Sequence, residues 1–368
     1  MRTLSVSATS FGREPVRLSD LLDRGPVVLD GAMGTELDAR GVDTRNALWS
    51  ARALTTAPDV VREVHSDYLD AGARVITTNT YQATLPALVR SGEDAAGARR
   101  VIAAGARLAK EAAHQFGKEH PEEPVLVAGG LGPYGAYLAD GSEYTGAYGV
   151  DILEDTGFQE VHLPRIEVLV GEGIDLFAVE TLPRLDEAQA LVAMVKGLAP
   201  QAQCWVSFQV RPDGSTLADG TPLAEAAAWA EQEEIVVAVG VNCVAPGVVA
   251  RALPVLRAAT DKPLVAYPNA GDLYDPATKT WQSTGDGAGI PELAPSWIAE
   301  GVRLVGGCCR TRPAQIRELA LEAIHAQREA LLDARGEGLF SSVALDGALA
   351  RLDNEEILLV SGSHGLDH

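Results

Sequence analysis

The chain has 368 residues, 46% of them hydrophobic, and carries 30 basic against 51 acidic residues, a net charge of -21. Because the acidic residues are spread along the chain, nucleic acid and anionic membrane are excluded as expected partners: a phosphate surface is repelled before contact forms. Four cysteines in this length are too few for a disulfide framework, and no run reaches the roughly 18 apolar residues of a membrane span. The N-terminus, "MRTLSVSATSFGREPVRLSD", has no signal-like apolar core, so the expectation is a soluble, cytoplasmic protein. In a reducing compartment its cysteines serve as metal ligands, nucleophiles or core filler.

Residues 1–17 read as a flexible arm. From there short apolar runs ending in Gly, Asn, Thr or Cys recur along the chain. They are "PVVLDGA" (26–32), "RVITTNT" (74–80), "PVLVAGGLG" (124–132), "DLFAVET" (175–181), "CWVSFQV" (204–210), "IVVAVGVNC" (235–243), "PLVAYPNAG" (263–271) and "VRLVGGCC" (302–309). Most are continuously apolar and rich in Val, Leu and Ile, which is how a parallel strand covered on both faces reads. Between them lie Ala-, Leu- and Glu-rich segments of helical period. "DVVREVHSDYLDAG" closes at Gly72 and "LDEAQALVAMVKG" at Gly197. The alternation predicts an α/β chain forming a single (β/α)8 TIM barrel over residues 18–330, with a doubly wound sheet as the rival. Residues 331–368 are a C-terminal extension of unassigned role. Its "ALDGALARLDNEEILLV" has an apolar period suited to docking on the barrel or on a second subunit.

Asp30, Asn79, Glu180, Asn242, Cys243, Asn269, Cys308 and Cys309 all fall at or just past the C-terminal ends of predicted strands. That is the face where barrel enzymes place their chemistry, and closure would bring Cys243 within reach of Cys308. Adjacent cysteines rarely bond to each other, because the small ring strains the peptide between them. Two neighbouring thiolates can instead hold one soft cation, with Gly306 and Gly307 letting the backbone turn sharply and approach closely. Adding Cys243 gives a three-thiolate set that suits Zn²⁺ and leaves a fourth tetrahedral position open. The bland alternatives are burial of these cysteines as core, which is how Cys204 reads, and helix capping by Asp30 and Glu180. None of the seven histidines stands out as a fourth ligand, and the strand-end histidine cluster of a metal-dependent hydrolase is absent.

The motifs "VVLDGAMGTEL", "TTNTYQAT", "GLGPYGAYLADGSEYTG", "VETLP", "DGTPL", "VGVNC", "YPNAG" and "GGCCRT" follow one another in the order and spacing of the homocysteine S-methyltransferase family. The chain resembles that family from about residue 18 to residue 325, and the pairing of a VNC cysteine with a distant GGCC is its most specific part. The resemblance implies a zinc enzyme, held by Cys243, Cys308 and Cys309, that methylates the sulfur of L-homocysteine to give methionine. It implies that Asp30 and Glu180 bind the substrate amino group. The substrate carboxylate would be held near Gly31 and by Thr35 or Thr80, with Asn79 beside them at the mouth.

Family members differ in methyl donor. The chain has no room for folate and cobalamin domains. Thr181 stands where the betaine branch has a tyrosine, and the tail is short for that branch's dimerisation arm. "TTNTYQAT" and "YLADGSEYTG" look most like the S-methylmethionine branch. A cationic sulfonium would then be drawn to Tyr81, Tyr134, Tyr137, Asp140 and Tyr144, partly by cation-π contact, with S-adenosylmethionine as a poorer donor. A betaine-dependent enzyme and a non-catalytic zinc- or thiol-binding barrel are the alternatives. The expected assembly is a monomer or small homo-oligomer.

Overall fold

Eight parallel strands make one sheet: β1 (Val27–Val28), β2 (Val75–Thr77), β3 (Leu126–Leu131), β4 (Leu176–Leu182), β5 (Gln203–Phe208), β6 (Val236–Asn242), β7 (Leu264–Tyr267) and β8 (Val302–Val305). The computed structural model describes residues 16–148, 157–271, 273–275, 280–282, 289–336 and 342–361. Each strand pairs with its sequence neighbour, β8 returns to β1, and a parallel bridge from Leu29 to Val75 joins β1 to β2. The sheet therefore closes as a TIM barrel, and the doubly wound alternative is set aside. Helices such as Pro58–Asp70, Ala95–Glu119 and Pro246–Arg257 follow the strands on the outside. Between β7 and β8 the chain adds a small antiparallel pair, Leu273–Asp275 with Thr280–Gln282.

Successive strand residues point to opposite faces, and both faces are apolar here. Leu176 and Ala178 join Trp205, Ala238, Val265 and Leu304 inside the barrel, while Phe177 and Val179 belong to the layer against the helices. This double burial is why the strands read as unbroken apolar runs. At Gly240 a Cβ would lie 1.8 Å from the Val265 carbonyl oxygen, so only glycine lets β6 and β7 meet at that point.

The short helix Leu18–Leu22 places Leu18, Leu21 and Leu22 in the interior cluster, against the start of the strands. It is tied there by Arg17, which donates to the Gln201 carbonyl at 2.6 Å, and by Gln203, which donates to Ser19 Oγ at 2.9 Å. Of the expected flexible arm, residues 1–15 lie outside the described residues.

Helix Pro313–Gly336 runs unbroken through residue 330, and helix Ser342–Ser361 lies against it. Arg328 binds Asp353 at 2.8 Å and Glu356 at 2.6 Å, Arg317 donates to the Leu359 carbonyl at 2.6 Å, and Leu352 and Leu359 are buried. Part of the extension's apolar surface is thus buried on the chain's own barrel, while Ile357, Leu358 and Val360 stay exposed. Among the described residues no helix is long and apolar enough to cross a membrane.

Candidate functional site

At the C-terminal ends of β4 and β6 the backbone takes a conformation that L-residues avoid: φ is 60° at Thr181 and 54° at Cys243. A β-branched residue there is strained and persists only if its surroundings over-determine it. Buried Asn242 does so, accepting from the Thr181 N–H at 2.8 Å and donating to Thr181 Oγ1 at 2.8 Å. These bends set Glu180 and Cys243 along the wall of one cavity of about 600 Å³ at the barrel mouth.

Cys308 and Cys309 reach the same cavity on the loop after β8. Neither glycine before them is left-handed; the residue that turns is Arg310, at φ 69°. Gly306 and Gly307 serve close approach instead of a sharp turn, since a Cβ would sit 2.6 Å from Leu29 Cβ and 2.4 Å from Thr311 Oγ1 respectively. Cys308 N donates to the Pro268 carbonyl at 2.8 Å, and Ala270 N to the Cys309 carbonyl at 3.0 Å, which fixes the loop against the end of β7.

The three sulfurs lie within 4.8 Å of one another, with Cys243 and Cys309 at 3.8 Å. A tetrahedral ion with bonds of about 2.3 Å to sulfur needs sulfurs about 3.8 Å apart, so the set fits a soft metal. Hydrogen bonds from Cys308 and Cys309 hold the Cys243 thiol well below its ordinary value, aided by Tyr144 and Asn269. The same contacts with Cys243 push Cys308 and Cys309 up. Within the trio Cys243 is the thiol most readily ionised. Cys204, packed in the outer core, is pushed up to about 12 by burial and stays a thiol.

Asp30 and Glu180 line the same cavity. Asp30 Oδ2 accepts from Thr77 N at 2.8 Å, and Glu180 Oε2 accepts from Tyr267 Oη at 3.2 Å. Tyr267 is itself placed by Trp205 Nε1 at 3.0 Å and Ser207 Oγ at 2.5 Å. Burial pushes Asp30 up to about 7 and Glu180 up to about 8, the latter helped by the charge of Asp30. Among the described residues neither has an ion-pair partner, so this is a pair of desolvated carboxylates suited to a cation that arrives with a substrate.

Gly31, Thr35 and Asn79 also line the cavity. Thr35 Oγ1 accepts from Arg310 N at 3.1 Å, and Asn79 is held by Ser50 through bonds of 2.7 and 2.9 Å. The structure places Thr80, Tyr137 and Asp140 off the cavity. Thr80 is buried, its hydroxyl donating to the Gly130 carbonyl at 2.9 Å. Tyr137 lies under the Arg90 guanidinium at 4.1 Å, and Asp140 accepts from Ser142 N at 3.0 Å. Tyr134 packs edge-on against Tyr137 and Phe158, whereas Tyr81 and Tyr144 do reach the cavity.

Sequence reasoning missed Trp49, Glu143 and Tyr267, all of which line it. Tyr267 follows an apolar run and heads "YPNAG", a usable signal; Glu143 sits in a polar loop and gives none. Behind the loop is a buried network: Glu187 binds His162 at 2.7 Å, Tyr148 at 2.5 Å and Tyr134 N at 2.5 Å. Arg165, pushed down to about 10 by burial, donates to the carbonyls of Thr80, Tyr81 and Gly132 at 2.6 to 3.0 Å. The network anchors Tyr81 and the cover of the mouth.

A homocysteine S-methyltransferase family model matches residues 27–323. The chain is 45% identical over 305 residues to the homocysteine S-methyltransferase of Escherichia coli (strain K12), covering 82% of this chain and 97% of that one. It is 40% identical over 309 residues to homocysteine S-methyltransferase YbgG of Bacillus subtilis (strain 168), covering 82% and 96%. Among solved structures, the metallated form of the homocysteine methyltransferase MmuM from Escherichia coli superposes with a TM-score of 0.72 at 43% identity, over 82% of this chain and 97% of that one. With a closed barrel and a three-cysteine cluster at its mouth, the chain belongs to the homocysteine S-methyltransferase family.

Proposed function

We propose that the protein transfers a methyl group from a sulfonium donor, preferentially S-methylmethionine, to the thiolate of L-homocysteine to form methionine, with zinc bound by Cys243, Cys308 and Cys309. One observation carries this reading. A single cavity holds both a three-sulfur set spaced for a tetrahedral soft ion and two half-buried carboxylates with no ion-pair partner among the described residues. Zinc in that set supplies the Lewis acidity that keeps an added sulfur ligand ionised at neutral pH.

The chain's own residues do the rest. Asp30 and Glu180 clamp the homocysteine ammonium, whose charge brings both carboxyls back into their ionised form. Thr35 and the backbone at Gly31 face its carboxylate. Asn242 keeps the strand ends bent so that the clamp and the sulfurs stay in one geometry. Tyr81 and Tyr144 present rings and hydroxyls to the donor and exclude water. Holding the two sulfur centres and the methyl carbon in line is most of the catalysis, because no proton has to move on the donor side.

The test is methionine formation by zinc-loaded protein from L-homocysteine with S-methylmethionine, S-adenosylmethionine or betaine supplied separately. Fastest turnover with S-methylmethionine is expected. Turnover with betaine alone would reassign the donor, and no turnover with any of the three would remove the reading.

A further inference from the structure

Four acidic residues line the cavity: Asp30, Asp38, Glu143 and Glu180. Asp30 and Glu180 are taken by the substrate amino group in the reading above, and Asp38 accepts from Thr44 Oγ1 at 2.7 Å. Glu143 is left. It is 6% exposed; burial pushes its carboxyl up to about 7, backbone N–H groups of Glu143 and Gly141 draw it partly back, and its Oε2 has no hydrogen-bond partner among the described residues. A buried carboxylate in that state is expensive unless something positive comes to it.

The position of Glu143 is fixed and close to the chemistry. It lies in the one-turn helix Ser142–Tyr144, packed so tightly on Gly135 that a Cβ there would come 2.3 Å from Glu143 N. Asp140 secures the start of that turn through Ser142 N. The next residue, Tyr144, puts its hydroxyl 3.9 Å from Cys243 Sγ, so the turn forms the wall that faces the sulfur cluster. The Tyr81 hydroxyl is hydrogen-bonded to Thr181 and lies in the field of both Glu143 and Cys243.

We propose that Glu143 receives the positive charge of the methyl donor, its carboxylate forming with Tyr81 and Tyr144 a subsite for a methyl-sulfonium centre. This rests on the sulfonium reading of the site. A sulfonium carries full charge but no N–H, so it is held by opposite charge and by ring faces, not by directional hydrogen bonds. A carboxylate on the cavity wall is its complement.

The reaction then fixes what Glu143 does. A lone pair of the homocysteine thiolate forms the new S–CH3 bond while the bond from the methyl carbon to the sulfonium breaks, its electron pair returning to the leaving sulfur. Both sulfurs end as neutral thioethers, and no proton moves. The positive charge is full in the bound donor and fading in the transition state. Glu143 therefore strengthens donor binding and does not speed the chemical step.

Glu143→Gln keeps the shape and removes the charge. In the zinc-loaded full chain, KM for S-methylmethionine is expected to rise about ten- to hundredfold, with kcat within about threefold and homocysteine KM unchanged. Titration gives a second readout. Wild type is expected to bind S-methylmethionine at least about tenfold more tightly than methionine, which is neutral at sulfur; Glu143→Gln loses that margin and Glu143→Asp keeps part of it.

A Gln variant that retains both donor KM and the margin, in a wild type that turns S-methylmethionine over, overturns the role of Glu143 alone. A wild type that forms no methionine from S-methylmethionine overturns the functional reading instead. Should Glu143→Gln fail to fold, absence of the margin in wild type or its complete loss in Glu143→Asp overturns the assignment.

Discussion

Glu180→Gln separates what the site does for binding from what it does to stability. In the folded barrel the Glu180 carboxyl is pushed up to about 8 from 4.5, first by burial and then by Asp30. Each pH unit between those values is worth about 1.4 kcal/mol, so an ionised Glu180 costs the empty barrel on the order of 5 kcal/mol relative to the unfolded chain. The sign follows from which state holds the proton. At low pH both states are protonated and the penalty is zero. As pH rises through the ordinary carboxylate range the unfolded chain ionises while the barrel keeps its proton, so the penalty grows, and it levels off above the folded value.

Glutamine is neutral throughout and still accepts from Tyr267. Thermal melts of the ligand-free proteins should therefore show the variant above wild type at about pH 8.5, with the gap closing towards about pH 5. The same variant should raise homocysteine KM about tenfold to hundredfold, because the ammonium loses a desolvated partner. A variant that melts below wild type at the higher pH, or with a gap that ignores pH, would refute the electrostatic account. An unchanged homocysteine KM would refute the clamp.

Changing Cys243, Cys308 or Cys309 singly to Ala should drop bound zinc, read by elemental analysis, and abolish methyl transfer. Cys204→Ala should keep both, at a stability cost of about 1 kcal/mol for a small cavity. Asn242→Ala strips the strained Thr181 of its two hydrogen bonds to Asn242; about 1 to 3 kcal/mol of stability should go, together with a raised homocysteine KM, and wild-type values for both would show that the clasp is idle. Gly240→Ala drives a methyl into the Val265 carbonyl, a backbone atom that cannot step aside. It should destabilise the barrel by more than about 3 kcal/mol, seen as insolubility or a large fall in denaturation midpoint.

The barrel and its reactive strand ends can be read from the order of the amino acids alone. Its apolar runs are continuous because β4, β5 and β6 are buried on both faces, and the residues that punctuate them, Asp30, Glu180, Cys243 and the Cys308–Cys309 pair, sit where polar groups can leave a parallel sheet. Those are short-range patterns, and short-range patterns survive in one dimension. Which side of each loop faces the cavity depends instead on contacts between residues far apart in the chain. Thr80, Tyr137 and Asp140 look as suited to a substrate as Tyr81, Glu143 and Tyr144, and they come from the same two stretches. Arg165 draws in the Thr80 and Tyr81 carbonyls, Arg90 covers Tyr137, and Gly135 lets the Ser142–Tyr144 turn lie flat, so one set is spent on packing while the other lines the mouth. Left-handed Thr181 and Cys243 were equally hidden, since their bend is imposed by Asn242 and by the neighbouring strand, not by any preference of threonine or cysteine.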